Sequence, residues 1–158
     1  DTNSMLRVGG FEKVIKNKPN IEIVASTPAD WNRSKGLTTM QDILVGHPNV
    51  DAVWAANDSM ALGAVQALKG AGKLEDVFVG GFDATPDALK AIENDNMSFS
   101  VKQFPYKEGH KAVEIAHKIL NGQTFETAVK MRDWPWGIEH YQELKPAVID
   151  KENVDEYK

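Results

Sequence analysis

The chain has 158 residues, 42% of them apolar and 26% charged, with a formal net charge of −5. That length allows one ordinary domain with a real core. Lys and Arg are scattered rather than gathered into the basic stripe of a nucleic-acid surface, and no apolar run approaches a membrane span. Cysteine is absent, which removes disulfides, thiolate nucleophiles and Cys-based metal sites. Because residue 1 is Asp and no signal segment is visible, the natural start of the gene product is expected to lie elsewhere.

In chain order, "MLRVGGFEKVIKN" reads as a helix with Leu6, Phe11, Val14 and Ile15 on one side. "IEIVAS" (21–26) is short, apolar and β-branched, and predicts a strand. "SKGLTTMQDILVGH" (34–47) has Leu37, Met40, Ile43 and Leu44 at helical spacing, with Pro48 beyond. "DAVWAA" (51–56) predicts a second strand. "DSMALGAVQALKGAGK" (58–73) predicts a strong helix ended by glycines. "DVFVGGF" (76–82) follows as a strand, "TPDALKAIEND" (85–95) as a helix with Pro86 near its first turn, and "SFSVKQ" (98–103) as a strand. After Pro105, "KEGHKAVEIAHKILNG" (107–122) is an amphipathic helix stopped by Gly122. Beyond it the pattern weakens: "TAVKMRDW" suggests a short strand, "WPWG" an aromatic turn, and "PAVIDKENVDEYK" a short apolar stretch with a charged tail.

Strands alternating with helices of 10–15 residues predict an α/β fold, an open parallel sheet with helices on both faces and right-handed crossovers. In such sheets ligands bind beyond the carboxyl ends of the strands. Those ends carry Asp30, Trp31 and Arg33, then Asn57 and Asp58, then Asp83, then Gln103. Amides that donate and accept, a carboxylate that accepts twice and one flat aromatic face suit a small polyhydroxylated ligand. Each residue also has a plainer reading. Asp58 is well placed as the N-cap of the helix beside it, Asp83 before Thr85-Pro86 suits a turn, Trp31 a packing role, and Gln103 a strand exit.

His110 and His117 lie seven apart, but no carboxylate is interleaved as in H-E-x-x-H, so no metal is expected. "GAGK" and "VGGF" lack the glycine spacing and the Lys-Ser/Thr of a phosphate loop, so no cofactor is expected either. No nucleophile accompanies Asp58 and Asp83, so an enzyme is not expected.

"PADWNRSKGLTTMQDILVGHPNVDAVWAANDSMALGAVQAL", "VGGFDATPDALKAI" and "VKQFPYKEGHKAVEIAHKILNG" resemble the ribose-binding type of periplasmic sugar-binding protein, over residues 5–125 and in collinear order. These are solute receptors of ATP-driven sugar importers, in which two α/β lobes joined by three hinge crossings close on the sugar. The resemblance implies ligand contacts from Arg7, Trp31 (a Phe in ribose binders), Asn57, Asp83 and Gln103, whereas Asp58 matches no contact. It implies that residues 1–103 are the second sugar-binding lobe without its first strand. Residues 104–158 are then a hinge crossing, a helix, a short strand and a tail that pack on a first lobe not present in the chain. The chain is accordingly expected to be a fragment, a cleavage product or a separately made half-receptor. The implied partners are a monosaccharide or polyol, the first lobe and the membrane permease of an importer, with no nucleic acid, in the periplasm or outside the cell, free or lipid-anchored. The effector-binding domain of a LacI-type repressor and the sugar-sensing domain of a signalling receptor share the fold, but "GFDATPDALKAIENDNMSFSVKQFP" sides with the transport branch.

Overall fold

The computed structural model of the chain describes residues 2–123 and 146–157. The described elements run α1 (Thr2–Ile15), α2 (Arg33–Gly46), β1 (Ala52–Trp54), α3 (Asp58–Gly70), β2 (Phe78–Phe82), α4 (Pro86–Glu93), β3 (Phe99–Lys102), α5 (Pro105–Leu120) and β4 (Ala147–Asp150), with 3-10 turns at Leu74–Asp76 and Val154–Tyr157. The strand and turn expected in "TAVKMRDW" and "WPWG" lie outside the described residues.

One sheet has the order β1-β2-β3-β4. The first three strands are parallel, with Ala52 opposite Phe78 and Gly80 opposite Phe99. Side chains alternate across a strand, which assigns the helices to their faces. A Cβ on Gly81 would meet Asp58 and Ala61 of α3, whereas one on Gly80 would meet the Phe99 ring. So α3 covers the face that carries Gly81 and Ser100. On the other face Trp54 stacks on Phe11 of α1, centroids 4.7 Å apart and rings 4° from parallel. The core lies on the α3 side: Leu68, Val79, Ile92 and Ile149 are sealed from solvent, while α1 has no buried residue.

Local signals account for the helix boundaries. Thr85 accepts from the Ala88 N–H and Pro86 follows at the first turn of α4. At the end of α3, Gly72 takes φ 66° and the Lys73 N–H returns to Leu68 O at 2.9 Å, closing the helix with a left-handed glycine. Helices α2 and α3 approach closely because Gly36 and Gly63 leave room. A Cβ on Gly63 would lie 2.2 Å from Arg33 O, and one on Gly36 2.6 Å from Met60 O.

Two expectations need correction. Residues 21–26 join no strand. A cavity of about 660 Å³ separates residues 23–29 from β1 and has walls from α1 and α2, so no neighbouring backbone supplies a ladder. The tail does not group with the residues after 104. The chain forms two compact units, residues 1–102 with 148–158, and residues 103–147. The apolar stretch at 147–150 becomes β4 beside β3, burying Ile149, and Lys151 bonds Asp95 Oδ2 at 2.9 Å.

Candidate functional site

The loops after β1 and β2 meet α1 at Arg7. Its Nη1 donates to Ala56 O at 2.6 Å and its Nη2 to Asp83 Oδ1 at 3.1 Å. The guanidinium carbon lies 3.9 Å from the centre of the Phe82 ring and 5.3 Å from that of Trp31. A planar fork that bonds along its edges and stacks on its faces fits this position, and an ammonium would not. The Arg7 side chain is 15% exposed and that of Asp83 32%, so the pair is partly shielded yet reachable from solvent.

Backbone strain marks the same residues. Asp30, Trp31, Asp83 and Ala84 all have positive φ (49°, 59°, 109° and 52°), which side-chain-bearing residues rarely adopt. Such strain persists only where surrounding contacts over-determine it, and it gathers at binding and catalytic sites. Among the described residues, four of the five such positions fall in the loops that present Trp31 and Asp83, the fifth being Asp95 after α4.

The cap of α3 sits one residue earlier than the sequence suggests, on Asn57 rather than Asp58. The N-cap of α3 is Asn57: its Oδ1 accepts from the Met60 N–H at 2.9 Å. Its Nδ2 donates to Trp31 O at 3.4 Å, tying the cap to the aromatic loop. Asp58 is the first helical residue and is fully buried. Its Oδ1 accepts from Ser100 Oγ at 2.6 Å and its Oδ2 from the Thr85 N–H at 2.7 Å. Burial raises its carboxyl above the ordinary range, against the lowering effect of the Ser100 and Thr85 hydrogen bonds, and the charge of Asp83 adds to the rise. Sequence reasoning missed this network because Thr85 and Ser100 lie 27 and 42 residues away.

The structure therefore links Arg7, Trp31, Asn57 and Asp83 through direct contacts. Gln103 directly follows β3 and opens the second compact unit. The cavity beside β1 includes Trp31 but not the other three, and an apolar hollow under α1 includes Arg7 alone. Of the four, only Trp31 therefore borders the cavity beside β1. Among the described residues, no three His, Cys, Asp or Glu gather into a metal site, and no helix is long and apolar enough to cross a membrane. Chemically the cluster offers a forked cation, a carboxylate, an amide and one large aromatic face, with no activated nucleophile among them.

Residues 1–124 match the model of the periplasmic binding protein domain. The chain is 46% identical over 114 residues to the ribose import binding protein RbsB of Salmonella typhimurium, covering 72% of this chain and 38% of that protein. Against RbsB of Bacillus subtilis it is 41% identical over 123 residues, 78% of this chain and 39% of the relative. Among solved structures, the periplasmic solute binding protein of an ABC transporter from Actinobacillus succinogenes, with bound D-allose, superposes with a TM-score of 0.81 at 34% identity, covering 95% of this chain and 49% of that one. A solute binding protein from Bacillus halodurans with bound myo-inositol gives 0.79 at 34% identity, over 97% and 48%. The chain thus spans about two fifths of the length of the curated relatives and about half that of the solved structures. Because the family model spans residues 1–124 of the 158, the chain belongs to the periplasmic binding protein domain family.

Proposed function

We propose that the chain is one sugar-binding lobe of a solute receptor that serves an ATP-driven importer at the periplasmic or outer side of the membrane, and that it is not an enzyme. The carrying observation is the Arg7–Asp83 pair set against the Trp31 ring, with Trp31 and Asp83 both on strained backbone. A carboxylate and a guanidinium fork complement vicinal hydroxyls, and the aromatic face complements the C–H surface of a sugar ring. Asn57 adds the second hydrogen of its Nδ2, while a contact from Gln103 rests on the resemblance alone. The relatives' bound D-allose and myo-inositol indicate the class of ligand, a monosaccharide or cyclic polyol.

On this reading the lobe supplies one wall of a cleft and a second lobe supplies the other, residues from 104 crossing towards it. The exposed Tyr106, Val113 and Leu120 of the amphipathic α5 support such a partner surface. One wall gives few of the contacts that closure supplies, so the chain alone binds sugar weakly. Titration of the isotopically labelled chain with D-ribose, D-allose and myo-inositol, followed by NMR, tests this. Saturable shifts confined to the neighbourhood of Arg7, Trp31, Asn57 and Asp83 are expected, saturating at higher sugar concentration in Asp83→Ala. Shifts centred elsewhere, or unchanged in that variant, overturn the site, and tight binding by the chain alone overturns the two-lobe reading.

A further inference from the structure

The turn between β2 and α4 holds two successive strained residues, Asp83 and Ala84, and all three of its amides are fastened to side chains or backbone of other elements. The Asp83 N–H donates to Val101 O at 2.8 Å. The Ala84 N–H donates to Ser100 Oγ at 3.0 Å. The Thr85 N–H donates to Asp58 Oδ2 at 2.7 Å. Ser100 in turn donates its hydroxyl proton to Asp58 Oδ1 at 2.6 Å. A single carboxylate, itself sealed from solvent, thus holds two of the three amides, one directly and one through a hydroxyl.

Two further features argue that the carboxylate is more than a filler of the core. The position opposite it is Gly81, where a Cβ would lie 2.3 Å from Asp58 Oδ1, so the sheet is hollowed to admit this group. The turn it fastens also aims the Asp83 carboxylate at Arg7, 3.1 Å away. Strain of this kind needs contacts that over-determine the backbone, and hydrogen bonds donated to a carboxylate are about twice as strong as those between neutral groups.

We propose that Asp58, with Ser100 as its relay, is a positioning residue that locks the 83–85 turn so that Asp83 faces Arg7 in the geometry that receives the ligand. The ligand role of Asp83 rests on the sugar-binding reading above; the locking of the turn does not. Asp58 touches no ligand on this account and acts only through the turn.

The test uses the 158-residue chain as wild type, Asp58→Asn, Ser100→Ala and Asp83→Ala. Amide hydrogen exchange by NMR reads the lock directly. Both Asp58→Asn and Ser100→Ala are expected to speed exchange at Ala84 and Thr85 by about tenfold or more, while amides of Leu68 and Ile92 in the same compact unit keep their protection. Unchanged exchange at Ala84 and Thr85, or an equal loss of protection throughout the unit, overturns the proposal in favour of a general packing role. Should Asp58→Asn fail to fold, Ser100→Ala decides alone, since it removes only the relay. The binding arm uses D-allose and D-ribose. Asp58→Asn is expected to weaken binding in the wild-type background and to add nothing in the Asp83→Ala background, the non-additivity of residues acting through one another. Equal additive losses overturn the coupling to Asp83. Absence of any sugar binding by the wild-type chain counts against the sugar-binding reading, and the exchange result then still decides whether Asp58 locks the turn.

Discussion

Arg7 and Asp83, 76 residues apart in sequence, are joined by an Nη2–Oδ1 contact of 3.1 Å, while the other arm of the same guanidinium reaches Ala56 O at 2.6 Å. One side chain on α1 thereby spans the loops that leave β1 and β2. Arg7→Lys keeps the charge, but a single ammonium cannot bond both oxygens and lie flat on Phe82. Arg7→Lys should therefore lower stability nearly as much as Arg7→Ala does, by about 1–3 kcal/mol for a lost bond to a charged group and an orphaned carbonyl. Urea unfolding with an unchanged slope reads this as a lower midpoint. A wild-type midpoint in Arg7→Lys would show that charge alone, rather than the fork, matters at this position.

Two glycines inside helices should respond in opposite directions. Gly63 of α3 faces α2, where a Cβ would lie 2.2 Å from Arg33 O and 2.7 Å from Leu37 N, both backbone atoms that cannot swing aside. Gly9 of α1 has nothing within 4 Å of a Cβ. Gly63→Ala is expected to cost about 1–3 kcal/mol by forcing the helices apart. Gly9→Ala should gain about 0.5–1 kcal/mol through helix propensity and a less flexible unfolded chain. Thermal or urea melts of the two variants check the signs, and a stabilised Gly63→Ala would contradict the close α2–α3 approach.

The periodicity of the sequence was enough for α2 to α5 and β1 to β3, because local residues set their faces, caps and stops: Pro86 opens α4, Gly72 closes α3 and Gly122 follows α5. It was not enough where the deciding partner is remote. "IEIVAS" has strand composition, yet a strand exists only with a neighbour to bond, and none lies beside it. Asn57 and Asp58 are both good caps, and one residue of register decides which accepts from Met60. The sequence holds the candidates, but Ser100 and Thr85, which draw Asp58 inward, come from other elements. The resemblance named Arg7, Trp31, Asn57 and Asp83 as candidates, and these four are linked by direct contacts; the strained turns that present Trp31 and Asp83 were not legible, since no glycine marks either one.

Burial gives Asp58 a pH signature. Its carboxyl is raised from 3.8 chiefly by desolvation, so the folded chain binds this proton more tightly than the unfolded chain does. The stabilisation linked to that proton is complete below the unfolded value and is lost as pH rises through the folded one. The unfolding free energy of wild type minus that of Asp58→Asn should therefore fall as pH rises from the unfolded value through the raised folded one, and level off above it. Subtracting the variant cancels the carboxylates that do not interact with Asp58. A difference that rises with pH would mean that the hydrogen bonds of Ser100 and Thr85 outweigh desolvation.

The outer edge of β1 offers the last prediction. Phe78 N–H bonds Asp51 O and Ala55 N–H bonds Gly80 O, so odd-numbered residues of this strand face β2 and even-numbered ones face away. Of the outward row, Ala56 O is taken by Arg7, whereas Ala52 and Trp54 face the cavity of about 660 Å³ that separates β1 from residues 23–29. Across it, no backbone hydrogen bond reaches residues 22–28 from any described residue. Backbone groups left to solvent exchange quickly and tolerate proline. Val24→Pro, at a position 43% exposed, should change stability by less than about 0.5 kcal/mol. Val53→Pro removes a ladder bond and should cost about 1–3 kcal/mol. In the wild-type chain the amides of Ala52 and Trp54 should exchange much faster than those of Val53 and Ala55. Slow exchange at Ala52 and Trp54, or a large penalty for Val24→Pro, would mean that residues 21–26 pair with the β1 edge in solution and that the strand read from the sequence forms after all.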